Sequence, residues 1–242
     1  MNIDYIKISP TGNITLLVRT PVPRQRQAET AATLLRQVGG EFCGNATMAL
    51  CALLARERDV EGATNFVVEV SGSNAPVPCT IERDCDNWIG TVRMPLPKRV
   101  REIRLQTDGE TLVTPLVEMP GIAHLILPLG LGASQMRRRL PEWNEKIGAD
   151  ALGALAWNAA ASSIDPLVYV PSTGTLVREH GCGSGSAAVG CWLSERGCTN
   201  VRLDIHQPGG VITVAARRNG PILASLTITG RISILEEGSA VV

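Results

Sequence analysis

Two cysteine-led runs, Cys43-Gly44-Asn45-Ala46-Thr47 and Cys182-Gly183-Ser184-Gly185-Ser186, each open a stretch of small and apolar residues. The stretches align without a gap, Cys43 to Arg58 with Cys182 to Gly197, sharing Ala49 with Ala188 and Leu54 with Leu193. A chain that carries one unit twice is confined to folds in which both copies take up the same local structure. Both stretches read as buried helices. Thr-Asn and an alternating strand follow in each copy, Phe66 to Val70 and Val201 to Ile205, then a glycine turn. A strand pair closes each: Val77 to Glu82 with Trp88 to Met94, and Val211 to Ala216 with Ile222 to Ile228, the latter turning at Asn219-Gly220.

The repeat extends upstream. Tyr5 to Ile8, the turn Pro10-Thr11-Gly12-Asn13 and Ile14 to Val18 match Thr114 to Glu118, the turn Pro120-Gly121-Ile122-Ala123-His124 and Leu125 to Leu129. A candidate helix follows each, near Gln27 to Gln37 and near Ser134 to Ile147, with Pro141 marking a break or a start inside the second. The reading is a duplicated α/β (α+β) lobe. The copies then diverge: 30 positions separate Asn13 from Cys43, against 58 between His124 and Cys182, so the first lobe is short by 28. In the second lobe the additional positions carry two apparent strands, Ala151 to Trp157 and Leu167 to Val170. Uncovering a central helix exposes apolar surface at about 25 cal/mol per Å². Either a partner surface closes the shortened lobe, or a segment is missing from the sequence.

At 242 residues and 44% hydrophobic content the chain can build a sizeable core. Lysine plus arginine equals aspartate plus glutamate at 23 each, which gives no global charge for nucleic acid or an anionic membrane. No stretch has the length of a membrane span and none reads as a targeting leader, so a cytoplasmic protein acting on a small molecule is expected. Seven cysteines, an odd number without a secreted framework, are expected to be reduced, and their spacing does not suit zinc.

The two runs suggest a chemistry. A free thiol has a pKa of about 8.5, and a helix N-terminus lowers it. The glycine after each cysteine lets a substrate approach the backbone, where unpaired N–H groups form an anion cradle suited to an α-carboxylate. Two such thiols on opposite faces of a carbon could remove a proton from one side and deliver one to the other, with no cofactor required. Cys51, Cys79, Cys85, Cys191 and Cys198 read as ordinary small residues.

At Ser9-Pro10-Thr11-Gly12-Asn13, Gly40-Glu41-Phe42-Cys43-Gly44-Asn45-Ala46-Thr47-Met48, Glu179-His180-Gly181-Cys182-Gly183-Ser184-Gly185 and His206-Gln207-Pro208-Gly209-Gly210 the chain resembles the diaminopimelate epimerase and proline racemase superfamily. Within it the resemblance is to histidine racemases of opine-type metallophore biosynthesis. It implies two pseudo-symmetric lobes, each a mixed sheet or barrel round a central helix, with the first lobe at residues 1–100, the second at 101–228 and the tail 229–242 packed back on the first. It further implies Cys43 and Cys182 as the thiol/thiolate pair, with Asn13, Gly44, Asn45, His124, Glu179, Gly183 and Ser184 around the substrate, no metal, and a homodimer. Glu179 lies almost next to Cys182, without the arginine that holds a distal amino-carboxylate in diaminopimelate epimerases, and Asn45 replaces the histidine of proline racemases. Histidine, or an amino acid of similar size, is therefore the expected substrate. The alternative is an inactive member that binds small molecules or acts as a scaffold.

Overall fold

The computed structural model describes residues 1–27, 30 and 42–241. Strand β14, Ile222–Val241, is twenty residues long and joins the two copies: it pairs antiparallel with β13 (Gly210–Asn219), then with β5 (Asn87–Arg93), then with β1 (Asn2–Pro10). The other strands of the first copy are β2 (Thr15–Val18), β3 (Thr64–Val68) and β4 (Val77–Asp84). Those of the second are β6 (Arg99–Gln106), β7 (Thr111–Met119), β8 (Ile122–Pro128), β9 (Leu152–Asn158), β10 (Ser163–Val170), β11 (Thr175–Arg178) and β12 (Val201–Gln207). All fourteen form one mixed sheet, with parallel pairs at β8 with β9 and β10 with β12.

Two central helices lie against it, α1 (Gly44–Glu57) and α3 (Gly183–Gly197). They are apolar on most faces because both are wrapped by strands. Met48, Ala52 and Leu53 of α1 share one core with Ala187, Ala188 and Val189 of α3 and with strands of both copies. The peripheral helix α2 (Ala133–Ile147) buries only Met136, Leu140, Trp143 and Asn144, and closes a second core over β7 to β10. Pro141 lies inside α2 and does not break it, because the buried face on either side holds the helix down. Among the described residues no helix is long and apolar enough to cross a membrane.

The inequality of the copies is visible in the pairing. In the second copy β9 and β10 bridge β8 to β12, and β11 is a further strand that the sequence reading lacked. Strand β6 was not foreseen either. In the first copy the described strands end at β2, which pairs with β1, and at β3, which pairs with β4. The helix expected at Gln27 to Gln37 lies almost wholly outside the described residues.

Candidate active site

Both central helices begin as the small-residue runs suggest. Cys43 and Cys182 are the N-caps, in extended backbone, and each sulfur accepts the N–H three residues on: Ala46 N at 3.4 Å and Gly185 N at 3.3 Å. A hydroxyl one turn into each helix ties back to the cap carbonyl, Thr47 Oγ1 to Cys43 O and Ser186 Oγ to Cys182 O, both at 2.9 Å. The two N-termini converge on one side chain. A methyl group built on Gly44 would lie 3.0 Å from Ile228 Cδ1, and one on Gly183 would lie 2.8 Å from the same atom. The glycines therefore let both helix ends close on β14.

Residues flanking the cysteines are brought together across the copies. Asn13 Nδ2 and Asn45 Nδ2 both donate to the Gly181 carbonyl, at 3.0 and 2.8 Å. The side-chain oxygen of Asn45, Oδ1, is buried without a hydrogen-bond partner among the described residues and faces Gly183. The Thr11-Gly12 turn, with Thr11 at φ 48°, packs against Gly181 and Gly209 so closely that a methyl group on Gly209 would sit 2.5 Å from the Thr11 carbonyl oxygen. Gly209 N in turn donates to His180 O at 2.7 Å.

His124 is in strand β8 and fully buried, not in the turn where the sequence reading placed it. Its Nε2 is 2.9 Å from Ser184 Oγ, and Ser184 Oγ is 3.6 Å from Cys182 Sγ. Burial lowers the His124 pKa to about 3, so the ring is neutral. Nδ1 has no partner and lies against Gly153, which assigns the proton to Nε2. Nε2–H then donates to Ser184, leaving the hydroxyl proton free to point at the sulfur.

The expectation of a helix end lowering the thiol pKa is overturned at Cys182. Burial pushes its pKa well up, and the negative charge and hydrogen bond of the Glu179 carboxylate push it further; the Ser184 hydroxyl and the Gly185 N–H pull the other way and lose. Cys182 therefore rests as a thiol whose S–H faces Glu179. Arg178 is not Glu179's partner, since its guanidinium binds Asp165 at 2.7 and 2.8 Å. The two cysteines differ in access: Cys182 is 2% exposed, while Cys43 is exposed. None of the seven cysteines is in a disulfide. Cys51, Cys79 and Cys191 are core residues, and Cys85 and Cys198 are exposed in left-handed turn positions.

One site residue escaped the sequence reading. Gln207 Oε1 accepts the Cys182 N–H at 2.6 Å. It lies in His206-Gln207-Pro208-Gly209-Gly210, one of the runs that carry the family resemblance, where His206 is exposed. Neighbours on a strand face opposite ways, so an exposed His206 turns Gln207 inward.

The family described as Histidine racemase CntK N-terminal domain matches residues 27–241, nearly the whole chain. The chain belongs to the histidine racemase family. Its relatives include the histidine racemase of Staphylococcus aureus, 26% identical over 98% of this chain and 97% of that protein, and that of Fusobacterium nucleatum, 27% identical over 98% and 95%. These alignments run over 271 and 263 positions against a chain of 242 residues, so both racemases carry positions that this member lacks. The fold is that of a hydroxyproline epimerase from Agrobacterium vitis with bound trans-4-hydroxy-L-proline, with a TM-score of 0.71 at 14% identity over 99% of this chain and 91% of that one. A PhzF-family phenazine biosynthesis protein from Enterococcus faecalis superposes with a TM-score of 0.57 at 12% identity over 100% of both chains. Histidine racemases are isomerases, and this chain is an amino-acid racemase by family.

Proposed function

We propose that the protein inverts the α-carbon of histidine by a two-thiol mechanism without a cofactor. The observation that carries this reading is the convergence of two cysteine-capped helix ends on Ile228. The cleft lies between two lobes, residues 1–100 with the tail 229–242, and residues 101–228. The substrate α-carboxylate sits at the helix ends, where the N–H groups of Gly44, Asn45, Gly183 and Ser184 precede the first intrahelical bonds. Two helix dipoles aimed at one carboxylate stabilise the charge that develops as the α-proton leaves.

Cys182, resting as a thiol, delivers a proton while Cys43 takes one from the opposite face, and the roles reverse for the other enantiomer. Glu179 holds the Cys182 proton between turnovers. When that proton has left, the Ser184 hydroxyl, oriented by His124, and the Gly185 N–H stabilise the thiolate. Asn13 and Asn45 hold the Gly181 carbonyl and so draw the first copy onto the Cys182 loop. The family resemblance also supports a cytoplasmic homodimer that supplies D-histidine to opine-type metallophore assembly.

The test is incubation of the purified protein with L-histidine in deuterated water, beside diaminopimelate and proline, following α-deuterium and chirality together. Exchange with inversion of histidine, lost in Cys43→Ala and in Cys182→Ala, is the expected result. The shorter first copy favours a second reading, an inactive member that binds a small molecule or acts as a scaffold; silence of the folded protein across an amino-acid panel would overturn the racemase reading and leave this one.

A further inference from the structure

We infer that Gln207 is a positioning residue for the Cys182 thiol, acting by locking both peptide groups that flank it. The inference rests on the two-thiol reading for its catalytic meaning and on geometry for its substance. Three hydrogen bonds close a circuit. Cys182 N–H donates to Gln207 Oε1 at 2.6 Å, Gln207 Nε2 donates to Ser186 Oγ at 2.9 Å, and the Ser186 hydroxyl donates to the Cys182 carbonyl at 2.9 Å. The amide can be oriented only one way, since a backbone N–H needs the oxygen and the Ser186 proton is already committed.

The lock answers a problem created by the neighbouring glycines. Gly181 abuts the Thr11 carbonyl and Gly183 abuts Ile228, and neither approach leaves room for a side chain. Glycines on both sides, however, are the most permissive setting a backbone can have. A cysteine has only χ1 before its sulfur, so with that rotamer held by the Gly185 N–H the backbone torsions decide where Sγ lies. Gln207 supplies the missing rigidity from a strand end that is itself held, by pairing with Gly210 in β13 and by the Gly209 N–H on His180 O.

Gln207 belongs to the second copy. In the first copy Thr47 repeats the part of Ser186, but in the alignment of Phe66 to Val70 with Val201 to Ile205 the position of Gln207 is taken by Gly72. Gln207 therefore governs proton transfer at the Cys182 face alone.

The experiment compares the wild type with Gln207→Met, of similar length without polar atoms, and Gln207→Glu, which keeps an oxygen for the Cys182 N–H. Two readouts are taken. The first is alkylation of Cys182 against Cys43 in the same sample, read by peptide mass mapping. In Gln207→Met the Cys182 rate rises about tenfold as the thiol leaves its held position, Cys43 is unchanged, and Gln207→Glu lies nearer the wild type. An unchanged ratio, or an equal rise at both cysteines, overturns the inference. The second is deuterium incorporation started separately from each enantiomer of histidine. Gln207→Met loses about tenfold or more from the enantiomer whose α-hydrogen faces Cys182, identified as the one that Cys182→Ala silences, and keeps exchange without inversion from the other. Equal losses from both, tracking a fall in Tm, would mean a merely structural residue. A wild type that exchanges nothing defeats the two-thiol reading, while the alkylation ratio still decides on Gln207.

Discussion

Cys182 shows how a single residue can sit at a helix N-terminus and still keep its proton. The N–H of Gly185 and the hydroxyl of Ser184 favour the thiolate, but complete burial beside the Glu179 carboxylate outweighs them. Replacing Glu179 with glutamine removes the charge and keeps the shape, so the Cys182 titration, followed by the pH dependence of its alkylation, moves to lower pH. A midpoint that stays put or rises would remove Glu179 from the site. At Gly181 the constraint is steric, because an added methyl group meets the Thr11 carbonyl. Gly181→Ala is predicted to cost about 1–3 kcal/mol in chemical denaturation and to reduce turnover together with stability. These roles were half legible. Cysteine next to glycine at a helix start marks the thiols and their backbone access locally, whereas Asn13 and Asn45 meet Gly181 across 168 and 136 residues.

The central helices and the hairpins that close each copy are legible because their signals are local: helix-length runs of small residues, alternation in the hairpins, and turn residues such as Asn219-Gly220, where Gly220 has φ 59°. Strand β6 is not legible because its three arginines and one glutamate are spread over both faces and break the apolar alternation, and β11 because four residues are too few for a pattern. The central helices are placed by close approach. A methyl group on Gly190 of α3 would lie 2.5 Å from Val214 Cγ2 and 3.0 Å from Val214 Cγ1 on β13. Alanine is the better helix former by about 1 kcal/mol. The collision is with a branched side chain fixed at 0% exposure, so it outweighs that gain, and Gly190→Ala is predicted to lower Tm. A rise in Tm would show that α3 can move away from the sheet.

For the molecule as a whole, stability should peak near neutral pH. His124, lowered from 6.5 to about 3 by burial, contributes stability that is present above its ordinary pKa and lost as the pH falls toward 3, at up to about 1.4 kcal/mol per pH unit. Cys182 has the opposite sign: its raised pKa contributes below the ordinary thiol range and is lost as the pH rises through and beyond it. Denaturant titrations between pH 4 and 9 should show both limbs, with the acid limb flattened in His124→Asn and the alkaline limb flattened in Cys182→Ala; identical profiles for the variants and the wild type would refute the assignment. The duplication, the shorter first copy and the two cysteine-led helix starts were determined by the sequence itself, since each is written in contiguous residues and their spacing. Only the tertiary structure decided that Cys182 is buried and Cys43 exposed, that Glu179 turns to the thiol while Arg178 turns to Asp165, and that Gln207 reaches Cys182. Those outcomes depend on how strands far apart in the chain register on β14, and burial and hydrogen-bond partners are properties of that packing.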